Sequence, residues 1–485
     1  MSEHFDVLIV GAGISGIGMA CHLQKESPGK RYAILERRSA IGGTWDLFRY
    51  PGVRSDSDMF SFAYAFRPWM SPKVLSEGRL VREYVKETAE EYGVDRHIRF
   101  GLKILKADWS SNQNLWTITA LKEATGETSA YTCNFFVSCT GYYDYDQGHL
   151  PVFPGLDRFE GQTIHPQFWP ENLDYRGKRV VVIGSGATAV TIVPAMVAQA
   201  AHVTMLQRTP TYYFIAPTLE KAIAMLGRFL PARWIYGTLR SAYIALQRAL
   251  YKGAKRWPDA MRKFMLRPIQ KMLGDTVDMR HFTPSYNPWD QRMCVVPDGD
   301  LFKAIKSGKA TIVTDEIATF TEHGILLKSG ETLEADIVVT ATGIRLKTFG
   351  GMDITLDGAP VATHQLLSYR AVLMQDLPNM AFIFGYTNAS WTLKADIASR
   401  YVCRLLNYMD SKGIARATPR APAGQLGEGN VMSSLTSGYI LRDVSELPRQ
   451  GRSGPWRVTH AYEVDKTLLL NESIDDGALE FVRQA

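Results

Sequence analysis

A chain of 485 residues is too long for one hydrophobic core, so two or three domains are expected. With 46% hydrophobic and 21% charged residues it has an ordinary globular composition, and no run of eighteen apolar residues offers a membrane span. The net charge of +6 suits anionic ligands such as phosphates without calling for a nucleic acid. Five scattered cysteines form no CxxC pair, which argues against a disulfide framework or a zinc site and leaves no metal set to propose. No secretory signal precedes the first apolar run, so the expected location is the cytoplasm.

That first run, Phe5–Val10 (FDVLIV), is of buried-strand type. GAGISG follows, placing Gly11, Gly13 and Gly16 in the G-x-G-x-x-G spacing ahead of a helical run from Ile17 to Gln24. Gly11 permits the tight turn, Gly13 lets backbone N–H groups approach a pyrophosphate, and Gly16 lets helix and strand pack closely. The next strand, Tyr32–Leu35, ends in Glu36, whose carboxylate is placed to bind ribose hydroxyls. Strand, loop, helix, strand and acid in this order predict a dinucleotide-binding unit. In the segment IGGTWDLFRYPGVRSDS, Gly42 and Gly43 extend the phosphate-side turn. Arg49, Arg54, Asp56 and Asp58 alternate there with Trp45, Phe48 and Tyr50, a pattern that favours a lined pocket over a solvated loop.

The strand FFVSC, running into Thr140-Gly141, reads as the return to this first unit. After it comes Phe159–Pro170 (FEGQTIHPQFWP), with a lone His165 and no catalytic pair. Lys178–Ile183 then repeats the strand, and GSGATA repeats the loop through Gly184, Gly186 and Ala189. The strand His202–Leu206 leads into Gln207, Arg208 and Thr209. Aligning the halves sets Gln207 against Glu36, so the ribose-binding acid is absent while a guanidinium and a hydroxyl follow. That exchange suits a 2′-phosphate. DIVVTATG (Asp336–Gly343) mirrors the first closing strand. Two sites of different preference suggest FAD in the first and NADPH in the second, with hydride passing between them.

Between these strands lies an insert in which Glu220–Asp275 holds twelve Lys or Arg against Glu220, Asp259 and Asp275. Apolar residues recur at helical spacing over Trp234–Tyr251. The simplest reading is a helical insert in the second domain with a solvated basic face; a basic, aromatic helix also suits an anionic membrane surface. Tyr286–Asp300 reads as a rigidly held loop around Arg292, between Pro288-Trp289 and Pro297. Beyond Leu377 a strand to Gly385, a polar turn and a long amphipathic helix read as a return to the first domain, with the helix N-terminus near the flavin. The tail after Asp410 reads as a surface wrap.

Taken together, the fold expected is α/β, with two Rossmann-like dinucleotide-binding domains and a helical insertion. The expected boundaries are 1–150 for the first part of the FAD domain, 151–175 for a linker and 176–212 for the first part of the NADPH domain. The insertion covers 213–298, the second part of the NADPH domain 299–375, and the FAD-domain return with the tail 376–485.

At this point the motifs resemble one family closely. Phe159, Gly161, His165, Trp169 and Pro170 fit the fingerprint F-x-G-x-x-x-H-x-x-x-W-P of type I Baeyer–Villiger monooxygenases, flavoproteins of the flavin-containing monooxygenase superfamily. GGTW (Gly42–Trp45) and YPG-R-x-D-S (Tyr50–Ser57) resemble it too, and QRTPTY, NPWDQR, GDLF and GYTNASWTLKAD are similar to the ethionamide-activating branch. The resemblance implies an oxidoreductase in which NADPH reduces FAD, O2 adds to the flavin, and the peroxyflavin turns a ketone into an ester or lactone. Sulfide oxidation is an expected side activity. It also implies cofactor contacts at Gly43, Thr44, Trp45 and Asp56, and assigns Arg292 to stabilising the anionic adduct, with Asp56 positioning it. Physically, an arginine that is always charged suits a developing anion, and a carboxylate can orient it. Gln291 stands where many relatives have a lysine contacting the NADP phosphate, which leaves that contact to Arg208 and Thr209. His165 is expected to couple the two domains rather than to catalyse. The competing reading is a flavin N- or S-monooxygenase acting through an electrophilic hydroperoxyflavin. Oligomeric state and physiological substrate are not legible.

Overall fold

The strand Glu3–Val10 lies inside the larger sheet, parallel to Tyr32–Leu35 on one side and to the long strand Glu127–Ser138 on the other. The structure, a computed structural model, describes residues 3–433 and 435–483. Because side chains alternate along a strand, Glu3–Val10 feeds two cores. Val7 and Ile9 join the helices Ile14–Glu26 and Trp391–Lys412 on one face. Leu8 and Val10 join Trp109 and Trp116, on an antiparallel meander of Leu102–Ser110, Leu115–Lys122 and Glu127–Ser138, on the other. Burial on both faces explains why the sequence there is continuously apolar.

The second sheet is wholly parallel, with Ala310–Thr314, His202–Gln207, Arg179–Ile183, Ile337–Thr340 and Gln162–Ile164 in that order. Its turn repeats the first. The Gly11 N–H donates to the Leu35 carbonyl at 2.9 Å, and the Gly184 N–H to the Leu206 carbonyl at 2.8 Å. Two short strands, Tyr143–Gly148 and Ile344–Leu346, pair antiparallel and carry the chain between the sheets.

The chain rejoins the first sheet earlier than the expected boundary at 376. Asp353–Leu356 already pairs with Leu102–Ser110, followed by the short strands Ser368–Tyr369 and Leu373–Met374 and then by Met380–Phe382 beside Glu127–Ser138. Strands of two to four residues leave no periodic signature, which is why the sequence hides the crossing.

The insert forms helices Glu220–Leu226, Ala232–Arg256 and Pro258–Leu273. The longest of these docks on the first domain as well as standing in the second. Arg240 Nη1 donates to the carbonyls of Phe60 (2.9 Å) and Ala63 (2.8 Å) at the end of the one-turn helix Met59–Phe62. Gln247 Nε2 donates at 2.6 Å to Asp58, the N-cap of that same turn. Arg248 and Lys255 are paired with Glu463 and Asp290, so the basic face is only partly solvated. No helix among the described residues is long and apolar enough to cross a membrane.

Candidate active site

A cavity of about 540 Å³ opens between the two sheets and is lined by both glycine loops. Each loop is shaped by contacts a side chain would destroy. A Cβ at Gly16 would lie 1.8 Å from the Gly11 carbonyl oxygen, and one at Gly184 (φ +138°) would lie 2.3 Å from the Ala341 carbonyl oxygen. Gly43 (φ +56°) backs onto Gly13, where its Cβ would come within 3.0 Å of the Gly13 Cα. Gly186 differs: a Cβ there meets nothing within 4 Å and would project into open space. The helices Ile14–Glu26 and Ala187–Met196 start at Gly13 and Gly186 with no side-chain cap, so unpaired N–H groups face the cavity from both loops. Two uncapped helix N-termini, each with a glycine at the point of closest approach, fit the pyrophosphates of two dinucleotides. Ala189 is fully buried at the third position of the second motif and closes the helix onto its sheet.

Glu36 lines the cavity and accepts from the N–H groups of Ala12 (2.6 Å) and Arg38 (2.7 Å). Burial pushes its carboxyl above the usual range, and the two N–H donors oppose that shift. Thr44 and Trp45 sit on a turn of helix whose buried Asp46 accepts from Arg38, Arg49 and Arg82 at 2.7, 2.8 and 3.1 Å. Burial would raise the Asp46 carboxyl, but those guanidiniums hold it below its ordinary value. The dense charges of this segment therefore divide. Arg54, itself paired with Asp300, and Asp56 line the cavity, whereas Arg49 is spent on Asp46 and Asp58 on Ser61 and Gln247 away from it.

Arg292 and Asp56, 236 positions apart, meet in the cavity wall, with Arg292 Nη2 3.4 Å from Asp56 Oδ2. The Arg292 side chain is 41% accessible, and it faces the cavity rather than open solvent. Asp56 raises the guanidinium still further above its ordinary value, so it is charged at every working pH. The hydroxyls of Tyr142, Tyr143 and Tyr439 lie close enough to feel that charge. The tail, expected only as a surface wrap, reaches the cavity and supplies a clamp. The Ser437 hydroxyl accepts from the Arg292 N–H at 3.1 Å, and the Thr436 N–H donates to the Asp290 carbonyl at 2.8 Å. Trp391, at the start of the long helix, also lines the cavity and donates from Nε1 to the Ser15 hydroxyl at 2.8 Å. Nothing local in the sequence marks Ser437 or Tyr439. The long helix that begins at Trp391 was, in contrast, expected from the sequence as a return to the first domain with its N-terminus near the flavin.

The residues expected to read the second nucleotide's ribose do not all converge. Gln207 is buried, with Nε2 donating to the His281 carbonyl (2.6 Å) and to Thr314 Oγ1 (2.9 Å), so its side chain is committed away from the cavity. The alignment with Glu36 holds for the backbone but fails for the side chain, because Gln207 is still within the strand. Arg208 and Thr209 are exposed just beyond the strand end. Arg208 makes no side-chain hydrogen bond or ion pair among the described residues, and the Thr209 carbonyl accepts from the Ser185 hydroxyl at 3.1 Å.

The fingerprint stretch lies on the edge of the second sheet. Phe159 packs edge-on against Phe320, and a Cβ at Gly161 would collide with the Phe159 ring (2.4 Å) and the Asp336 carbonyl oxygen (2.5 Å). Trp169 packs on the second-sheet core, and Pro170 is exposed. The Gln167 N–H donates to His165 Nδ1, which leaves the proton on Nε2 to donate to the Gly343 carbonyl, both at 3.2 Å. The ring presses on Gly148, whose Cβ would lie 2.0 Å from His165 Cε1. Gly148 and Gly343 belong to the paired connector between the sheets and to the turn that enters it, so His165 sits at the crossing. Burial lowers its pKa, against the pull of the Gly343 carbonyl, and keeps it neutral at pH 7.

Residues 5–221 match the family model for flavin-binding monooxygenase-like proteins. The whole chain is 55% identical to MymA of Mycobacterium tuberculosis, covering 99% of that protein. It is 50% identical to the FAD-containing monooxygenase EthA of the same organism, again over 100% of this chain and 99% of the other. The chain therefore belongs to the FAD-containing monooxygenases and is a flavoprotein monooxygenase, in agreement with the ethionamide-activating branch indicated by its motifs. Among solved structures, an oxidised steroid monooxygenase bound to NADP superposes with a TM-score of 0.79 at 20% identity, covering 99% of this chain and 100% of that one. A cyclohexanone monooxygenase from Rhodococcus sp. Phi1, bound to NADP+, gives 0.75 at 20% identity over the full length of both. These two establish the shared fold of two dinucleotide-binding domains.

Proposed function

We propose that the protein is an FAD- and NADPH-dependent Baeyer–Villiger monooxygenase. A ketone, O2, NADPH and a proton give an ester or lactone, NADP+ and water. One oxygen atom enters the product, and sulfide oxidation is a side activity. The observation that carries this reading is the Arg292–Asp56 pair in the wall of a cavity lined by both glycine loops.

Gly11, Gly13, Gly16, Glu36, Gly43, Thr44 and Trp45 would hold FAD, with its pyrophosphate at the uncapped N-terminus beyond Gly13. Gly184, Gly186 and Ala189 would hold the pyrophosphate half of NADPH, and Arg208 with Thr209 its 2′-phosphate. FAD, once reduced by NADPH, supplies the activation of O2. The chain's own contribution is electrostatic and positional. Arg292 places a fixed positive charge where oxygen of the reacting group becomes anionic, and a group already oriented stabilises that charge without reorganisation. Asp56 holds the guanidinium in place, while Ser437 and Thr436 hold the loop that carries it. His165 keeps the linker, the connector and the second domain in one arrangement, a positioning role. The domain assignment follows the sheets, with the FAD domain regained by Asp353.

Gas chromatography of products across a panel of methyl ketones and sulfides tests the reading. Esters from at least one ketone class are expected. Sulfoxides alone, with every ketone recovered, would overturn it in favour of electrophilic N- or S-oxygenation.

A further inference from the structure

The hairpin between the first two insert helices has no role in the reaction, and its surface is unusual. Every residue from Ala224 to Trp234 is exposed, a run (AMLGRFLPARW) with two arginines and no acid. Phe229 is 78% exposed and Trp234 74%, and Met225, Leu226 and Leu230 stand beside them. Scattered exposed apolar residues need no explanation, but five large ones within ten positions of one hairpin do. The hairpin is not loose. Ile223, Ile235 and Tyr236 on its inner side are buried in the first-domain core, and the Tyr236 hydroxyl donates to the Met70 carbonyl at 3.0 Å. Lys221, Arg228 and Arg233 surround the apolar tip, and none makes a side-chain hydrogen bond or ion pair among the described residues. Lys252, Lys263, Arg267 and Lys271, on the later insert helices, are likewise unpaired among the described residues, whereas Arg240, Arg248 and Lys255 are bound within the protein. Glu220 is the one acid in the sequence between Thr218 and Trp257.

We propose that this hairpin docks the enzyme on an anionic lipid bilayer. Leu226, Phe229, Leu230 and Trp234 would enter the interface, and Lys221, Arg228 and Arg233 would face lipid phosphates. An apolar tip rimmed by cations matches the interior and the charged surface of such a bilayer together. The exposed run Ala224–Trp234 carries no acid, which leaves little to pair with a basic protein partner. A phenylalanine and a tryptophan with flanking cations is the side-chain set that settles at the headgroup boundary. The proposal is independent of the reaction assigned above, since no hairpin residue lines the cavity.

The test is co-sedimentation of the flavin-loaded full chain with vesicles of phosphatidylcholine alone or mixed with phosphatidylglycerol. The native protein should pellet with the mixed vesicles at low salt, and at least tenfold less with phosphatidylcholine alone. Phe229→Ser with Trp234→Ser, and separately Lys221→Gln with Arg228→Gln and Arg233→Gln, should each stay in the supernatant. Both variants should keep native flavin absorbance, which shows that they fold. Native protein that fails to pellet with either vesicle, or a charge variant that pellets like the native protein, overturns the proposal. So does a native dimer in gel filtration that the Phe229→Ser, Trp234→Ser change turns into a monomer without any vesicle binding; the face would then join two copies of this chain.

Discussion

Alanine at Gly186 and alanine at Gly184 alter the same motif by the same methyl group, yet the structure assigns them opposite consequences. At Gly184 the backbone has φ +138°, and the new Cβ would sit 2.3 Å from the Ala341 carbonyl oxygen. Left-handed backbone alone costs an L-residue about 1–2 kcal/mol, and the collision with main chain adds to it. Gly184→Ala should therefore lower the thermal midpoint clearly. At Gly186 the backbone is extended (φ −79°) and nothing lies within 4 Å of the added Cβ, so the fold should be nearly indifferent. The methyl does occupy the approach to the uncapped N–H groups of the helix Ala187–Met196. Holding a phosphate back from those donors forfeits charge-assisted bonds worth about 1.5–3 kcal/mol, roughly ten- to hundredfold in affinity. Calorimetric titration of the flavin-loaded enzyme with NADP+, alongside thermal melts, separates the two effects. If Gly186→Ala binds NADP+ as tightly as the native enzyme, the second glycine loop does not cradle the pyrophosphate and the two-site assignment fails.

Three other expectations rest on different contacts. Arg292→Ala should leave NADPH-driven flavin reduction, followed by stopped-flow absorbance, near the native rate, while ester formation falls by about 10²–10³, the usual cost of losing a fixed stabiliser of developing anionic charge. Native ester yield from that variant would remove Arg292 from the reaction. His165 has a depressed pKa in the folded state, so as pH falls through about 6.5 the unfolded chain takes a proton that the folded chain refuses, and stability drops. Native protein should thus lose more thermal stability than His165→Gln between about pH 7.5 and about pH 5.5, and parallel curves would show that His165 is not the group responsible. Arg240→Met removes a charged donor from the carbonyls of Phe60, Ser61 and Ala63 and should cost about 2–3 kcal/mol, read as a lower melting midpoint with NADP+ affinity unchanged.

Much of the nucleotide architecture was readable because it is local. Gly11, Gly16 and Gly184 are forced by contacts within a few residues of a strand-to-helix turn or with the neighbouring closing strand, so their spacing announces the turn before any fold is known. The apolar runs Phe5–Val10 and Lys178–Ile183 announce strands covered on both faces. The first-sheet return was not readable, since strands as short as Ser368–Tyr369 carry no period. Nor was the fate of Gln207, because a motif alignment fixes the position along a strand and not the direction of the side chain, which here turns to His281 and Thr314. The charged segment after Gly43 shows the same limit: four charges alike in sequence divide between cavity wall and internal pairs.

The sequence by itself determined that two glycine loops of like spacing exist and that a fingerprint stretch joins them. Local steric rules decide such things, and those rules act over a handful of residues. Only the tertiary structure decided that Asp56 and Arg292 share one wall, that Ser437 and Thr436 clamp the loop between them, and that His165 braces the crossing between sheets rather than entering the cavity. Each of those depends on chain segments more than a hundred positions apart being brought within hydrogen-bond reach. The packing of two cores against each other does that, and no local pattern records it.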